Sequence, residues 1–428
     1  MANALRAATA CALAPGIAAA TARSAPPAPP GRGAVRALDR ALLGAPGAAS
    51  GGRRLVLIEL GGANDGLNTL VPWRDDLYRA ARPILALGPD ELVHPDGART
   101  ATGEEAPALN RALAPLLSLL ERGELAFVQG LGYPSPNRSH FTSIHLWETG
   151  GDGARGAGPD GWITHDLEHR LGRPVADAHG IGLDGTVGPL DSGSGRWLST
   201  RSASSLASLE APLAARDAAS GAGPGAPTLP AVAAMAARMR DVDATLGRLR
   251  EKVRRGPSVE PVAEGELGAQ LTDVVRLVTA GLDTPVYHVR LAGFDTHVNQ
   301  RGRHARLLRE LAAGLRGLRR ALVEAGEWDR TLVATYSEFG RRAAENGSGG
   351  TDHGTAAPHL VAGGALGSLA PFHGRAPDLG ALDETGDPAP TLDYRALYER
   401  VLSGWFGIRD NRFADFRAPA LEGLLRPG

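Results

Sequence analysis

The C-terminal half of the chain contains three short clusters in which acidic residues and histidines stand close together. They are Gly293-Phe294-Asp295-Thr296-His297, Ser337-Glu338-Phe339-Gly340-Arg341 and Gly350-Thr351-Asp352-His353-Gly354. Another acid, Asp65, lies in a glycine-rich segment near the start, residues 61–66. Carboxylate oxygens and imidazole nitrogens are ligands of divalent zinc, manganese and magnesium. We therefore predict one divalent-metal site, whose ion the sequence does not distinguish among these three. Its predicted ligands are Asp65, Asp295, His297, Glu338, Asp352 and His353.

Apolar runs of strand character stand beside these clusters. Leu55–Leu60, Val286–Leu291 and Thr331–Tyr336 each end just before an acidic residue of the predicted site. Further strands are predicted at Leu125–Gln129 and, after the third cluster, at His359–Gly364. Nearly continuous apolar runs are typical of a parallel sheet that is buried on both faces. Ligand sites form beyond the carboxyl ends of the strands in such a sheet, so residues far apart in sequence are expected to converge there.

Segments with helical periodicity separate most of the strands. They are Ala108–Arg122, Ser139–Glu148, Pro230–Arg255, Gly265–Gly281, Arg303–Gly326 and Thr391–Phe406. Strands that alternate with helices predict an α/β protein, with a large, mostly parallel central sheet sandwiched by helices.

A nucleophile is harder to place than the metal ligands. Ser139 and His140 follow the second predicted strand at a predicted helix start. Helix N-termini favour anions, so we predict that these two residues are catalytic. The alternative is that Ser139 only caps the helix. The chain contains no Gly-x-Ser-x-Gly elbow and no Gly-Lys-Ser/Thr phosphate loop.

Each candidate ligand also has a structural explanation when it is considered alone. Asn64-Asp65-Gly66 is common turn chemistry. Glu338 has Arg341 and Arg342 as possible ion-pair partners. The four segments together are less easily explained as turns.

Composition limits the other possibilities. The chain has 428 residues, 43% hydrophobic, and a formal net charge of −1. We therefore expect no nucleic-acid partner, and no run reaches the ~20 apolar residues of a membrane span. Residues 1–22 are predicted to be a signal peptide and residues 23–53 a Pro/Ala/Gly-rich linker. A single domain is expected over residues 54–410, with a variable insertion at about 185–230 and a tail at 411–428.

Several segments together are similar to one known family. They are LVLIELGGANDGLNTLVPW, GYPSPNRSHFTSIHLWETG, GFDTHVNQ, TYSEFGRRAAENGSGGTDHG and TLDYRALYERVLSGWFG. They resemble, in the same order, the DUF1501 family, a bacterial family of unknown function that is often exported by the twin-arginine route. No twin-arginine pair precedes the apolar leader here.

This family remotely resembles the alkaline phosphatase and sulfatase superfamily. The resemblance implies an alkaline-phosphatase-like fold, a two-metal site and a Ser/Thr nucleophile. Asp65 matches the acid after the first strand, and Asp295 with His297 approximates the next pair. Two alignments of the superfamily's Asp-His-Gly motif remain open. In one the motif is Asp352-His353-Gly354; in the other, which we favour, Glu338 and Phe339 occupy its place and His353 matches a later metal histidine.

These resemblances imply an exported metal-dependent hydrolase of phosphate or sulfate esters. The expected location is the periplasm or the cell exterior. The alternative is a catalytically silent exported protein that binds a ligand or a partner on the same fold, because Phe339 replaces a metal histidine in the favoured alignment.

Overall fold

The computed structural model describes most of the chain beyond its first fifty residues. The described residues are 17–19, 52–95, 100, 106–171, 174–175, 177–192, 197–208, 244–366 and 370–426. The predicted signal peptide and linker therefore lie almost wholly outside the described residues. The same holds for the predicted insertion beyond residue 208 and for the predicted helix before residue 244.

The strands belong to one large sheet and one small sheet. In chain order they are β1 Ile17–Ala19, β2 Arg54–Gly61, β3 Leu70–Val71, β4 Leu92–Val93, β5 Ala108–Asn110, β6 Leu125–Gly132, β7 Gly180–Gly182, β8 Trp197–Thr200, β9 Val286–Ala292, β10 Thr331–Tyr336, β11 Ala357–Gly363, β12 Phe372–His373 and β13 Leu392–Asp393. Strands β3, β5 and β4 form the small antiparallel sheet.

The helices cover the large sheet. They are α1 Asp76–Ala81, α2 Leu117–Glu121, α3 His140–Thr149, α4 Thr164–Arg170, α5 Ala203–Ser208, α6 at residues 244–255, α7 Gly265–Thr279, α8 Gln300–Glu324 and α9 Arg395–Arg400, which continues as a π-helical turn, Val401–Trp405. Short 3-10 helices lie at Gly66–Asn68, Pro89–Glu91, Arg111–Leu116, Gly188–Leu190, Trp328–Arg330, Ala414–Phe416 and Pro419–Leu421. Among the described residues, no helix has the length and apolar character needed to cross a membrane.

Within the described residues the large sheet has ten strands, and it is mostly parallel, as predicted. Its order is β1-β8-β7-β9-β2-β10-β11-β6-β12, and β13 also pairs with β6. The strands from β8 to β10 run parallel, and β12 and β13 are parallel to β6. Strand β11 is antiparallel to both β10 and β6. The beginning of β11 therefore lies beside the carboxyl ends of β10 and β6, which brings the third cluster to the same edge as the other two.

Two apolar layers hold the helices against the sheet. Alternate residues of β2 enter different layers: Val56 and Ile58 belong to one, and Leu55 and Leu57 to the other. This alternation follows from the two-residue repeat of side chains along a strand. Helices α7 and α8 cover the first face, and α3, α4 and α9 cover the second. Burial of both faces explains why the predicted strands are almost continuously apolar.

The predicted helix over Ala108–Arg122 is wrong in its first half. Residues Ala108–Asn110 form β5, Arg111–Leu116 form a 3-10 helix, and only Leu117–Glu121 are α-helical. Pro115 lies inside the 3-10 segment. Proline has no backbone N–H and its ring clashes with the preceding turn of an α-helix, so regular α-helical bonding begins only after it.

Helix α3, which begins at the predicted site, is fixed by aromatic packing. The Trp147 indole is buried and stacks on the Tyr394 ring, with a centroid separation of 4.1 Å. The Tyr398 hydroxyl donates to the Trp147 carbonyl at 2.9 Å. The C-terminal half of α3 is therefore held against α9 and the residue that precedes it.

We expect the Trp147→Ala substitution to lower the free energy of unfolding by about 3–5 kcal/mol, because it removes a large buried ring. Urea denaturation measures this change. Phe141→Ala is the matched control on the same helix, since the Phe141 side chain is 88% exposed; its effect should stay within about 0.5 kcal/mol. Equal losses from both substitutions would contradict this account of the packing.

Candidate metal centre

Four side-chain atoms converge at the carboxyl edge of the large sheet. They are the Nε2 atoms of His140, His297 and His353, and Oδ1 of Asp295. The His353 Nε2 atom lies 3.0 Å from that of His140 and 2.9 Å from that of His297. Asp295 Oδ1 lies 3.1 Å from His297 Nε2, 3.3 Å from His353 Nε2 and 3.6 Å from His140 Nε2. The four atoms come from three separate parts of the chain.

The other ring nitrogen of each histidine has an acceptor. His353 Nδ1 lies 2.9 Å from the Arg138 carbonyl oxygen, which only accepts hydrogen bonds. His140 Nδ1 lies 3.0 Å from Glu338 Oε1, and His297 Nδ1 lies 3.1 Å from Asp352 Oδ1. Each acceptor favours a proton on Nδ1 and therefore, in the neutral ring, a lone pair on Nε2.

Three lone pairs and a carboxylate oxygen that face one another repel unless a cation or protons lie between them. Zinc bonds of about 2.0–2.1 Å in a tetrahedral site place neighbouring donors about 3.3 Å apart. The three distances among the donor atoms of His140, Asp295 and His353, from 3.0 to 3.6 Å, bracket that value. Hydrogen bonds from the distal ring nitrogen to a carboxylate or a carbonyl are the usual outer contacts of metal-bound histidines. The donor atoms of His140, Asp295 and His353 therefore fit one divalent ion, and His297 lies beside two of them.

The sheet topology and two glycines place these donors. His140 is the first residue of α3, which follows β6, while Asp295 and His297 follow β9. His353 precedes the antiparallel strand β11. A Cβ atom on Gly350 would lie 2.3 Å from the His297 carbonyl oxygen, and one on Gly354 would lie 2.5 Å from the Arg341 carbonyl carbon. Glycine is therefore needed on both sides of His353, because the backbones of the neighbouring clusters approach so closely.

A buried arginine joins the loops around the donors. The Arg341 guanidinium donates to Asp295 Oδ1 at 2.7 Å and to the carbonyl oxygens of Ala63, Phe294 and Thr351. Burial opposes ionisation of Asp295, but the hydrogen bond and charge of Arg341 hold its pKa below the ordinary value. Asp295 is thus kept as an anion, the form that binds metal.

Glu338 fixes His140 from behind. Its carboxylate accepts from the Gly62 amide at 2.8 Å and from the Ala63 amide at 3.1 Å, in addition to its contact with His140. Burial raises the pKa of Glu338, yet the His140 and backbone hydrogen bonds bring it below the ordinary value. The hydrogen bond to Glu338 in turn raises the pKa of His140.

Five of the six predicted ligands lie in or next to the cluster of donor atoms, and the sixth, Asp65, does not. Asp295, His297 and His353 contribute donor atoms to the cluster. Glu338 and Asp352 lie one contact further out and orient His140 and His297. His140, predicted as catalytic, contributes a fourth donor.

Asp65 is part of a different network. Its carboxylate forms a buried ion pair with Arg82, at 2.7 Å, and accepts from the Gln300 amide. Although burial opposes ionisation, the Arg82 charge and hydrogen bond lower the pKa of Asp65. Asp65 therefore connects α1, its own loop and α8, and its Oδ2 atom is already occupied.

Ser139 and Phe339 lie beside the donors. Ser139 is exposed and immediately precedes α3, and its hydroxyl makes no capping hydrogen bond. The Phe339 ring is buried, with its centroid 5.0 Å from the ring of His140 and 4.8 Å from that of His353. In the cluster Phe339 is thus an apolar neighbour of two histidines.

Sequence reasoning did not identify two important contributors. The sequence suggests Arg341 only as a possible ion-pair partner of Glu338, and it gives no indication that the Arg138 carbonyl orients His353. A backbone acceptor leaves no signal in the identity of the residue that contains it. For Arg341 the available signal is its place as the last residue of the cluster that follows β10.

We expect Asp352→Asn to weaken zinc binding by about 10–100-fold, because the His297 ring loses its charged acceptor. Competition with a chromophoric chelator measures the affinity. His145→Ala is the matched control, since His145 is an exposed histidine on the helix that contains His140. Unchanged affinity in Asp352→Asn, or an equal loss in His145→Ala, would refute the assigned role of Asp352.

A model of a family described as a protein of unknown function, DUF1501, matches residues 225–415. Comparison with the curated proteins gave no match.

The chain is similar in structure to the lipoteichoic acid synthase LtaP from Listeria monocytogenes, at 9% identity over 76% of this chain and 68% of that one, with a TM-score of 0.30. It is also similar to two alkaline phosphatases. For that of Thermus thermophilus the identity is 14%, the coverage 68% of this chain and 60% of that one, and the TM-score 0.29. For that of the Antarctic bacterium TAB5 the identity is 10%, the coverage 74% and 92%, and the TM-score 0.29. The similarity to the DUF1501 family that the sequence motifs indicate is thus confirmed over residues 225–415.

Proposed function

We propose that this protein is a metal-dependent hydrolase of phosphate or sulfate esters. The observation that supports the proposal is the convergence of His140, His297 and His353 with Asp295 at the carboxyl edge of the sheet. These residues would hold a divalent ion, which would supply Lewis-acid chemistry for an ester oxygen or for a bound water.

The surroundings of the donors suit a reaction with a dissolved anion. The side chains of Asp295 and His297 are 48% and 40% exposed, so a substrate reaches them from solvent. Helix α3 begins at His140, and the positive end of its dipole lies beside the donors. A phosphate or sulfate ester is the substrate class that matches both features.

The residues of the chain have distinct proposed roles. Asp295 and the three histidines hold the ion, while Glu338, Asp352 and the Arg138 carbonyl fix the histidine rings. Ser139, exposed and adjacent to His140, is the proposed nucleophile; a water molecule in its place would give hydrolysis without a covalent intermediate.

One observation favours a second candidate function. With His297 as a fourth ligand beside Asp295 and His353, the protein itself would fill the shell of an ion, and closed shells are typical of structural zinc sites. The second candidate is therefore a catalytically silent protein that uses the ion to stabilise the loops and binds a ligand or a partner.

A panel of aryl phosphates and aryl sulfates, assayed with the zinc, manganese and magnesium forms, tests the proposed function. We expect turnover of at least one ester, and its loss after chelation and in Asp295→Ala. His145→Ala is the matched control and should retain full activity and metal content. Bound metal without turnover of any ester would favour the silent binding protein, and no bound metal in the wild type would exclude both candidates.

Ser139→Ala separates the two nucleophiles. We expect it to abolish turnover while metal content and thermal stability stay unchanged, because the exposed Ser139 hydroxyl makes no capping hydrogen bond in the fold. Full activity in Ser139→Ala would assign the attack to water and remove Ser139 from the catalytic residues.

We also propose export from the cytoplasm, which rests on the sequence of residues 1–22. Expression of the full chain in a bacterial host, followed by mass analysis of the exported fraction, tests it. A cytoplasmic, uncleaved product would contradict export.

A further inference from the structure

Helix α8 concentrates positive charge on a protein that is nearly neutral. The helix contains seven arginines and two glutamates, whereas the whole chain has a formal net charge of −1. Arg301 and Arg319 are paired with Glu91 and Glu124, and Arg303 donates to a backbone carbonyl. The other four arginines are exposed and have no hydrogen-bond or ion-pair partner within the described part of the chain: Arg306, Arg309, Arg316 and Arg320.

These four arginines line a groove of about 760 Å³ that runs along the outer side of α8. The exposed residues Pro115, Ser118 and Arg122 also line the groove. Two carboxylates also line the groove. The Glu310 carboxylate accepts a hydrogen bond from the Leu267 amide. The Glu264 carboxylate also lines the groove and accepts no hydrogen bond within the described residues.

The groove is built on tightly packed elements. A Cβ atom on Gly317 would lie 1.9 Å from the Val262 carbonyl oxygen, and one on Gly314 would lie 3.0 Å from the Leu271 side chain. Helix α8 therefore lies directly against α7 and the segment before it. The arginines are thus displayed from a rigid base and not from a mobile loop.

We propose that this groove binds a linear polyanion, namely a polysaccharide chain that bears sulfate or phosphate groups. Arginine pairs bidentately with both groups. The eleven residue-to-residue steps from Arg309 to Arg320 span about 16 Å at 1.5 Å per step. The charges are therefore spread along a line that one small anion does not cover.

The lining residues favour a polysaccharide over a nucleic acid. No aromatic side chain is present among them, whereas proteins that bind single-stranded nucleic acids stack bases on aromatic rings. None of the four donors of the metal centre lines the groove either. The proposal therefore does not depend on the proposed hydrolase function, and binding alone tests it.

The test is fluorescence anisotropy with labelled heparin fragments, using the full chain at low and moderate salt. We expect saturable binding that weakens as salt rises, because paired counterions are released on binding. The triple substitution Arg309→Glu/Arg316→Glu/Arg320→Glu should weaken binding by roughly tenfold or more. Glu264→Gln should strengthen it, since that change removes the opposing charge.

A second triple substitution gives the matched control. Arg254→Glu/Arg255→Glu/Arg409→Glu changes the net charge equally at exposed positions outside the groove. We expect its affinity for heparin to stay within about twofold of the wild type. If the groove triple substitution does not fold, as judged by circular dichroism, Arg316→Gln alone should weaken binding while Glu264→Gln strengthens it.

Three outcomes would overturn the proposal. The first is a wild type that does not bind heparin. The second is an equal loss in the two triple substitutions, which would indicate attraction by net charge alone. The third is tighter binding of single-stranded DNA than of heparin of the same length and at the same salt, which would assign the groove to nucleic acid.

Discussion

The orientation of three imidazole rings is the constraint on which the site depends. The Arg138 carbonyl, Glu338 and Asp352 hold the Nδ1 atoms, so the Nε2 lone pairs of the three histidines face inward. Such an arrangement is unfavourable without a positive charge at its centre. The buried guanidinium of Arg341 opposes this repulsion between the donors by holding the surrounding loops together through hydrogen bonds to three carbonyl oxygens. A site of this kind is preorganised before any ion binds.

The direction of β11 extends this constraint to the whole sheet. A fully parallel sheet would carry the segment before β11 to the opposite edge, away from Asp295 and His140. Strand β11 runs antiparallel to β10 and β6. The residues before β11 therefore meet the residues that follow β6, β9 and β10. The cluster of donor atoms is therefore a product of topology as much as of the residues themselves.

The sequence was informative where chemistry and strand ends coincide. Five apolar runs predicted the main strands, and Asp295, His297 and His353 were predicted near one another for that reason. The direction of β11 was not predictable, because pairing depends on contacts between distant segments. The same limit applies to Asp65, whose partners Arg82 and Gln300 become neighbours only in the fold. In Ala108–Arg122 the leucine spacing predicted one α-helix. Because of Pro115, the segment before Leu117 forms a 3-10 helix instead.

The wide separation of the donors along the chain has a kinetic consequence. His140, Asp295 and His353 meet only after β6, β9 and β11 have been assembled into one sheet, and contacts between such distant segments form slowly. An ion that needs all of them has no complete set of ligands in the unfolded chain. A bound metal ion is therefore expected to slow unfolding strongly and to leave the rate of refolding nearly unchanged. Its effect would be to stabilise the native state after folding is complete.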